Sequence, residues 1–316
     1  MLVNHALYAK IKDKPSGFIP IPTLPGSDFY FYVRSQNTFI LKKLNKPNFE
    51  IEVPLLLEAI YEKYGYDFRG YSRASIERRL KLFLGQSGLE TISRLQNQIL
   101  FDKNIFADLL DILTIQVTEM FRDPSFFLFL RKEIVPTLST YPRIKVWHAG
   151  CSSGEEVYSL AIILEEEGLL DRTRIYATDV DEHALNKAKN SVFPLSEMAK
   201  YTKNYQKAGG KYSFSKYYKA DSAFALIDRK FQKNIVFSFH NLVTDKVFTE
   251  TNLILCRNVL IYFDSPLQDM VIGLFSKSLE RRCFLALGNK ESLRFNKYHK
   301  NFETINEKER IYRKTS

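Results

Sequence analysis

The second half of the chain alternates between short apolar runs and longer segments whose apolar residues recur at helical spacing. From about residue 119 onward, this alternation predicts a parallel sheet covered by helices, which is an α/β fold. Two late strand candidates, 301–305 and 310–313, predict an antiparallel edge of the same sheet. The earlier strands are predicted at about 143–149, 174–178, 235–239, 251–256 and 282–287.

The region from about 49 to 118 carries helical periodicity instead. Ser72 or Ser75 is placed to cap one helix, and a second helix is predicted from 104 to about 115. The glycines expected to end the first helix are Gly85 and Gly88.

A further helix is predicted just before the first strand of the sheet. Asp123 is expected to act as its N-cap, because Pro124 follows at the first helical position and suits that place. The helix is expected to continue to about Leu138.

Two segments interrupt these patterns. Residues 1 to about 48 are punctuated by prolines and glycines, and the short apolar runs at 29–33 and 38–41 predict a β-hairpin. Its aromatic residues could pack on the main body or form a surface for a partner. Residues 194 to about 234, rich in Lys, Tyr and Phe, predict a small insertion that is partly β.

The sequence from Val146 to Tyr158 reads as a buried strand, a turn of small residues and a helix that opens with two carboxylates. The next predicted strand ends in Asp179, placed to accept hydrogen bonds from ribose hydroxyls. The turn lacks the dinucleotide pattern G-x-G-x-x-G, and the acids Glu155 and Glu156 would repel a pyrophosphate. They suit a cationic ligand, and S-adenosylmethionine, a sulfonium with an amino group, fits that description.

Composition narrows the kinds of partner. The chain has 46 Lys and Arg against 36 Asp and Glu, a net charge of +10 and a pI near 9.3. This positive charge permits an anionic binding partner, which could be nucleic acid, an anionic membrane surface or an acidic protein surface. The alternative is a basic surface that is only solvated and binds no partner. The three cysteines, Cys151, Cys256 and Cys283, have apolar or small neighbours, which predicts buried free thiols and a reducing cytoplasm. No apolar run approaches the ~20 residues that span a bilayer.

Several motifs together resemble one protein family, the CheR-type chemotaxis receptor methyltransferases, which methylate glutamate side chains. The resemblance covers the chain from about residue 50 to the C-terminus. Its specific parts are Phe121-Arg122-Asp123 and the run from Arg257-Asn258 to Tyr262-Phe263. The other matching motifs are Ser152-Ser-Gly-Glu-Glu156, Ala177-Thr-Asp179, Asn241-Leu242 and Glu291-Ser292-Leu293.

The resemblance implies a class I S-adenosylmethionine-dependent methyltransferase fold, with a Rossmann-like, mostly parallel sheet, a small inserted β subdomain and an all-α N-terminal domain. The expected domains are an appendage at 1–48, a helical domain at 49–118, and a methyltransferase domain at 119–316 with its insertion at about 194–234. The cofactor would be S-adenosyl-L-methionine and the product S-adenosyl-L-homocysteine.

The resemblance also assigns site residues, one by one. Glu156 would hold the amino group of the cofactor and Asp179 its ribose hydroxyls. Arg122 and Tyr262 would lie next to the reacting methyl group, as the catalytic residues; the alternatives are an interdomain salt bridge and a core aromatic. The remaining cofactor-binding residues are expected to be Gln116, Thr118, Arg122, Asn241, Leu242, Arg257 and Asn258.

The family's basic N-terminal helix faces the methylation helices of the receptor. Arg78, Arg79 and Lys81 occur where that helix is expected, so they could dock an acidic coiled coil; a solvated face is the alternative. The implied partner is a methyl-accepting chemoreceptor-like protein, with neither nucleic acid nor insertion into a membrane.

The sequence departs from the family pattern at several points. Gln116 stands where Asn is frequent, and Asn289-Lys290 replace the usual His-Ser, which leaves the role of that histidine unfilled. The insertion lacks the glycine-rich tip of members that tether to a receptor's C-terminal peptide, which predicts peptide-independent recognition. Residues 1–48 have no counterpart in the minimal family architecture, and could tether a partner or cover the sheet edge.

Three other functions compete with the receptor methyltransferase. A nucleic-acid methyltransferase would agree with the basic pI, but the expected Asn/Asp-Pro-Pro-aromatic motif is replaced by the sequence from Arg257 to Tyr262. A non-catalytic, cofactor-binding signalling module would tolerate the altered loop at 288–290. A methyltransferase acting on another protein or a small-molecule carboxylate would share the cofactor site and differ in its docking surfaces.

Overall fold

The computed structural model describes the backbone of residues 30–35 and 38–43, and residues 48–114 and 118–315 together with their side chains. Residues up to Leu55 and residues from Leu56 form separate compact units. In the first unit, strands β1 (Tyr30–Ser35) and β2 (Thr38–Lys43) pair in antiparallel fashion, as the hairpin prediction expected.

Four helices lie in the described part of the predicted helical region. They are α1 (Asn48–Tyr64), α2 (Arg73–Ser87), α3 (Ile92–Phe101) and α4 (Lys103–Thr114). Ser72 takes the N-cap position of α2, and Gly88 ends the helix with a left-handed backbone at φ 71°. Gly85, also predicted as a stop, lies inside α2, because a helix tolerates an isolated glycine at modest cost.

The helix predicted from Asp123 to Leu138 is confirmed in extent, but it is not regular. It consists of α5 (Pro124–Phe129), one π turn (Leu130–Ile134) and α6 (Val135–Leu138). Asp123 occupies the N-cap position in a left-handed conformation, at φ 57°, and its side chain makes no cap hydrogen bond. The predicted N-cap position is therefore confirmed, but the Asp123 carboxylate does not cap the helix, because it accepts a hydrogen bond from Arg257 instead.

A seven-stranded sheet forms the centre of the second unit. Its strands are β3 (Ile144–Ala149), β4 (Thr173–Asp179), β8 (Ile235–Phe239), β9 (Thr251–Cys256), β10 (Leu279–Leu287), β11 (Phe302–Asn306) and β12 (Ile311–Lys314). The order is β11-β12-β10-β9-β3-β4-β8; the pairs β10–β12 and β12–β11 are antiparallel, and the other pairs are parallel. The predicted strands and the antiparallel edge are confirmed.

Helices cover the parallel strands on both faces. The covering helices include α7 (Glu155–Glu166), α8 (Glu182–Asn190) and α10 (Ser265–Ser278). Val146 and Trp147 are neighbours on β3 but enter two different hydrophobic clusters, because successive side chains point to opposite faces. A continuous apolar run on a central strand therefore reflects burial on both sides.

The predicted insertion is present between α8 and β8. It contains β5 (Val192–Pro194), α9 (Met198–Lys207), β6 (Tyr218–Ala220) and β7 (Phe224–Ile227). The three strands form an antiparallel sheet in the order β5-β7-β6, separate from the central sheet.

The connectivity reverses direction at β3. From β3 the chain adds β4 and β8 on one side of the sheet, and later β9 and β10 on the other. In open α/β sheets, ligands bind at the carboxyl ends of the strands where such a reversal occurs. Among the described helices, none is long and apolar enough to cross a bilayer.

Candidate active site

A cavity lies at the carboxyl ends of the central strands. Loops after β3, β4, β8 and β9 line it, and residues from the helical region close one side. Nine of the predicted site residues line this one cavity. They are Thr118, Arg122, Glu156, Asp179, Asn241, Leu242, Arg257, Asn258 and Tyr262. The tenth, Gln116, lies outside the described residues.

The turn after β3 brings the backbone close to the rest of the cavity wall. Gly150 has a left-handed backbone at φ 75°, and a Cβ added there would lie 2.4 Å from Cγ2 of Val259. A side chain at this position would therefore both strain the turn and fill the cavity wall. The small residues of the turn leave space that a ligand can use.

Asp179 ends β4 and organises the same turn. Its carboxylate accepts hydrogen bonds from the backbone amides of Ser152, at 2.7 Å, and Asp181, at 3.0 Å. Burial raises the pKa of Asp179, and these two amides offset part of that effect. The carboxyl group is thus held rigidly at the strand end, where the sequence predicted a partner for ribose hydroxyls.

Glu156 is a buried carboxylate at the start of α7, held by two cationic or polar neighbours. Arg257 donates a hydrogen bond to its Oε2, and Nε2 of His148 lies 3.0 Å from its Oε1. Burial acts to raise the pKa of Glu156, but Arg257 and His148 outweigh it and lower the pKa to about 2. Glu156 is therefore ionised at neutral pH.

Glu155, the other acid of this turn, has a different environment. Its carboxylate accepts a hydrogen bond from the hydroxyl of Ser153 at 2.7 Å, and burial raises its pKa. Glu155 is not among the residues that line the cavity. Of the two acids singled out in the sequence, Glu156 is therefore the one that lines the cavity.

Arg257 follows β9 and connects the start of α7 to the segment before α5 through hydrogen bonds. Besides Glu156, it donates to Oδ2 of Asp123 at 2.7 Å and to the carbonyl of Arg122 at 3.4 Å. Phe121 and Asp123, on either side of Arg122, both have left-handed backbones, at φ 52° and 57°. Such conformations cost energy in residues with a side chain and persist where the surroundings enforce them.

Hydrogen bonds to the Glu291 carboxylate hold the loop that carries Asn258 and Tyr262. The buried carboxylate of Glu291 accepts hydrogen bonds from the amides of Gly288, Asn258 and Ile261. Burial raises its pKa, and these amides counteract the effect. Asn258 itself is left-handed, at φ 62°. The motif around Glu291 therefore shapes the site without lining it.

Asn241 and Leu242, two of the predicted cofactor-binding residues, belong to the turn after β8. Asn241 is 5% exposed, and its side-chain oxygen accepts a hydrogen bond from the amide of Val243 at 2.9 Å. Its own amide donates to Asp245 at 2.9 Å, and Leu242 is buried beside it. These bonds give the turn a fixed shape at the cavity wall.

Arg79 was predicted to lie on the docking surface, but it is buried. Arg79 is only 3% exposed, and its guanidinium carbon lies 4.5 Å from the centre of the Tyr262 ring. It also donates to the carbonyl of Leu113, and burial lowers its pKa. A surface docking role for Arg79 is therefore wrong, whereas Arg78 and Lys81 on the same helix are exposed.

The cavity also contains residues to which the sequence assigned no role. Tyr71, His148 and His240 line it, and Tyr71 comes from the helical region, where its backbone bridges to Phe263. His148 could have been noticed as a polar residue in an otherwise apolar strand. Tyr71 gave no such signal, because only the docking of the helical region onto the loop after β9 brings it into the site.

Comparison with known families and proteins agrees with this geometry. The family model "CheR methyltransferase, SAM binding domain" matches residues 116–311, and "CheR methyltransferase, all-alpha domain" matches residues 51–114. SAM is S-adenosylmethionine, and the ionised Glu156, the buried Asp179 and the glycine turn are suitable residues to hold it. The predicted cofactor and methyltransferase fold are confirmed.

Individual relatives support the same assignment. The chain is 53% identical over 268 residues to "Putative methyltransferase Cher3" of Pseudomonas putida, covering 85% of this chain and 98% of that protein. It is 30% identical over 268 residues to a chemotaxis protein methyltransferase of Borreliella burgdorferi, covering 78% and 89%. With one of Salmonella typhimurium, the identity is 26% over 247 residues, covering 75% and 82%. The chain belongs to the CheR methyltransferase family.

Proposed function

We propose that this methyltransferase transfers a methyl group from S-adenosylmethionine to glutamate side-chain carboxylates of a chemoreceptor-like protein. The observation that carries the proposal is that Arg122 and Tyr262 line the same cavity as Glu156 and Asp179. A cation and a phenol are thus available beside a site that suits the cofactor. The names of the relatives in Borreliella burgdorferi and Salmonella typhimurium, chemotaxis protein methyltransferases, support the choice of partner.

A glutamate carboxylate suits a site of this kind. It is ionised at neutral pH, because its ordinary pKa is about 4.3, so no general base is required. When bound, S-adenosylmethionine supplies an electrophilic methyl group. The ester C–O bond forms as the C–S bond breaks, and the electron pair of the C–S bond stays on sulfur. The cavity residues therefore need only to position the carboxylate and exclude water, and no proton has to move.

The predicted cofactor-binding residues that line the cavity each have a role in this proposal. Glu156 accepts hydrogen bonds from the cofactor's amino group; each of its oxygens retains a lone pair beyond those used by His148 and Arg257. Asp179 accepts from the ribose hydroxyls. The adenine contacts are assigned to Asn241 and Leu242, and the methionine end to Arg257 and Asn258. Thr118 and Arg122 are assigned to the interdomain side of the cofactor pocket.

Arg122 and Tyr262 are the proposed catalytic residues. The planar guanidinium of Arg122 can orient the substrate carboxylate through a pair of hydrogen bonds. Tyr262 can fix the second carboxylate oxygen through its hydroxyl. Arg79 stacks over the Tyr262 ring and supports its position, and a cation over a phenol ring stabilises such a contact by about 0.5–2 kcal/mol.

The docking proposal now rests on Arg78 and Lys81 alone. Both are exposed on α2, the helix whose buried Arg79 contacts Tyr262. An acidic coiled coil would complement their charge and the chain's overall basic balance. The division into an appendage at 1–48, a helical domain at 49–118 and a methyltransferase domain at 119–316 is part of the same proposal.

The decisive experiment uses methyl-labelled S-adenosylmethionine and membranes from the protein's own source, followed by mild alkali. Release of the label as volatile methanol is expected, since carboxyl methyl esters hydrolyse under these conditions. Label that stays bound would contradict transfer to a carboxylate. Absence of any label with a cofactor-binding protein would favour the non-catalytic signalling module. Tyr262→Phe should lower the rate about tenfold or more without loss of cofactor binding.

A further inference from the structure

The buried guanidinium of Arg257 lies between the buried carboxylate of Glu156 and the carboxylate of Asp123, whose side chain is 31% exposed. Nη2 donates to Oδ2 of Asp123 at 2.7 Å, and Nη1 donates to Glu156. The Arg257 side chain is fully buried, and its guanidinium carbon lies 4.0 Å from the centre of the Phe126 ring. One positive charge is therefore shared between two acids, and water screens its pair with Glu156 less than its pair with the partly exposed Asp123.

Asp123 stands behind the cavity rather than in its wall. It is absent from the residues that line the cavity, whereas Arg257 and Glu156 are among them. Its unusual backbone turns its carboxylate toward Arg257 in place of the helix end that it precedes. Asp123 therefore reaches the cofactor site through Arg257.

The charge of this group depends on Asp123. Asp123 and Glu156 contribute −1 each and Arg257 contributes +1, so the three together carry −1. Without the Asp123 charge the sum is zero, while Arg122 and His148 contribute the same in both cases. A cationic amino group is attracted to the first arrangement and much less to the second, particularly in a poorly screened site.

We propose that Asp123 is a positioning residue for the cofactor's amino group: by sharing Arg257, it leaves Glu156 negative enough to bind an ammonium. This inference rests on the proposed role of Glu156. Asp123 also holds Arg257 against the Arg122 carbonyl, so the same ion pair links the cofactor site to the proposed catalytic arginine.

Calorimetric titration of two ligands tests the proposal. S-adenosylhomocysteine carries the amino group, and 5′-methylthioadenosine lacks the whole amino acid portion. We expect Asp123→Asn to weaken S-adenosylhomocysteine binding about tenfold and to leave 5′-methylthioadenosine binding within about twofold. Asp123→Glu, which keeps the charge, should recover most of the affinity. Asp123→Ser provides a second neutral side chain if the Asn variant does not fold.

The matched control is Glu165→Gln, which breaks an ion pair with Lys230 away from the cavity. It should change neither affinity. Equal weakening of both ligands by Asp123→Asn, or unchanged S-adenosylhomocysteine binding, would overturn the inference. Failure of the wild-type protein to bind S-adenosylhomocysteine would overturn the proposed function as well, so the two failures can be told apart.

Discussion

Glu156 is fully ionised at neutral pH, although its burial alone would favour the neutral carboxyl group. Arg257 and His148 hold the carboxylate from two sides and lower its pKa to about 2, from an ordinary value of 4.5. The local pattern placed both Glu155 and Glu156 in the first turn of a helix after a glycine turn, and the family resemblance then singled out Glu156. His148 was not selected, because its contact with Glu156 depends on how β3 and α7 are placed.

A prediction about pH follows for Glu156. Because its pKa is depressed in the folded state, its contribution to stability is full above pH 4.5 and is lost as the pH falls toward 2. Glu156→Gln should lower the free energy of unfolding by about 3 kcal/mol at pH 7, since it leaves Arg257 buried with only Asp123. Urea denaturation between pH 7 and pH 3 should show the difference from wild type shrinking below pH 4.5. A difference that stays constant or grows toward low pH would contradict this reason.

At the scale of elements, α2 serves two environments at once. Arg79 points inward to Tyr262 and to the end of α4, while Arg78 and Lys81 point outward. Helical periodicity placed Arg79 at the edge of the apolar stripe, and only the packing of the helical region against the loop after β9 decided that it is buried. Asp123 is a similar case. Its carboxylate accepts a hydrogen bond from the buried Arg257, which follows a distant strand, and does not cap the helix.

The outward residues of α2 provide a second prediction. Arg78→Glu with Lys81→Glu should lower the rate of receptor methylation about tenfold, because the proposed partner is acidic and close charge pairs govern association. Affinity for S-adenosylhomocysteine should stay within about twofold, since neither residue lines the cavity. The matched control is Arg94→Glu, an exposed arginine on α3. Unchanged methylation, or an equal loss in the control, would contradict the docking proposal.

At the scale of the whole molecule, the net charge of +10 affects how a partner approaches. A basic protein meets an acidic partner faster at low ionic strength, and salt screens this attraction over about 8–10 Å. Charges inside the cofactor cavity are screened less, because the protein excludes most of the solvent there.

Added salt should therefore weaken the interaction with the receptor more than the binding of S-adenosylhomocysteine. Between 50 and 300 mM NaCl, we expect kcat/KM for the receptor to fall about tenfold, and the Kd of S-adenosylhomocysteine to change by less than about threefold. Rate measurements with receptor-containing membranes and calorimetry under the same conditions check this. A methylation rate that does not respond to salt would argue against electrostatic steering by the basic surface.

The sequence by itself determined the order of strands and helices, the position of the insertion and the identity of the main acids at the strand ends. It could do so because each depends on local periodicity or on motifs a few residues long. The tertiary structure decided which charges meet. Arg257 reaches Asp123 and Glu156 across separations of 134 and 101 residues, and Arg79 reaches Tyr262 from another part of the chain. Burial and partnership of charges are properties of packed elements, so no local pattern of residues encodes them.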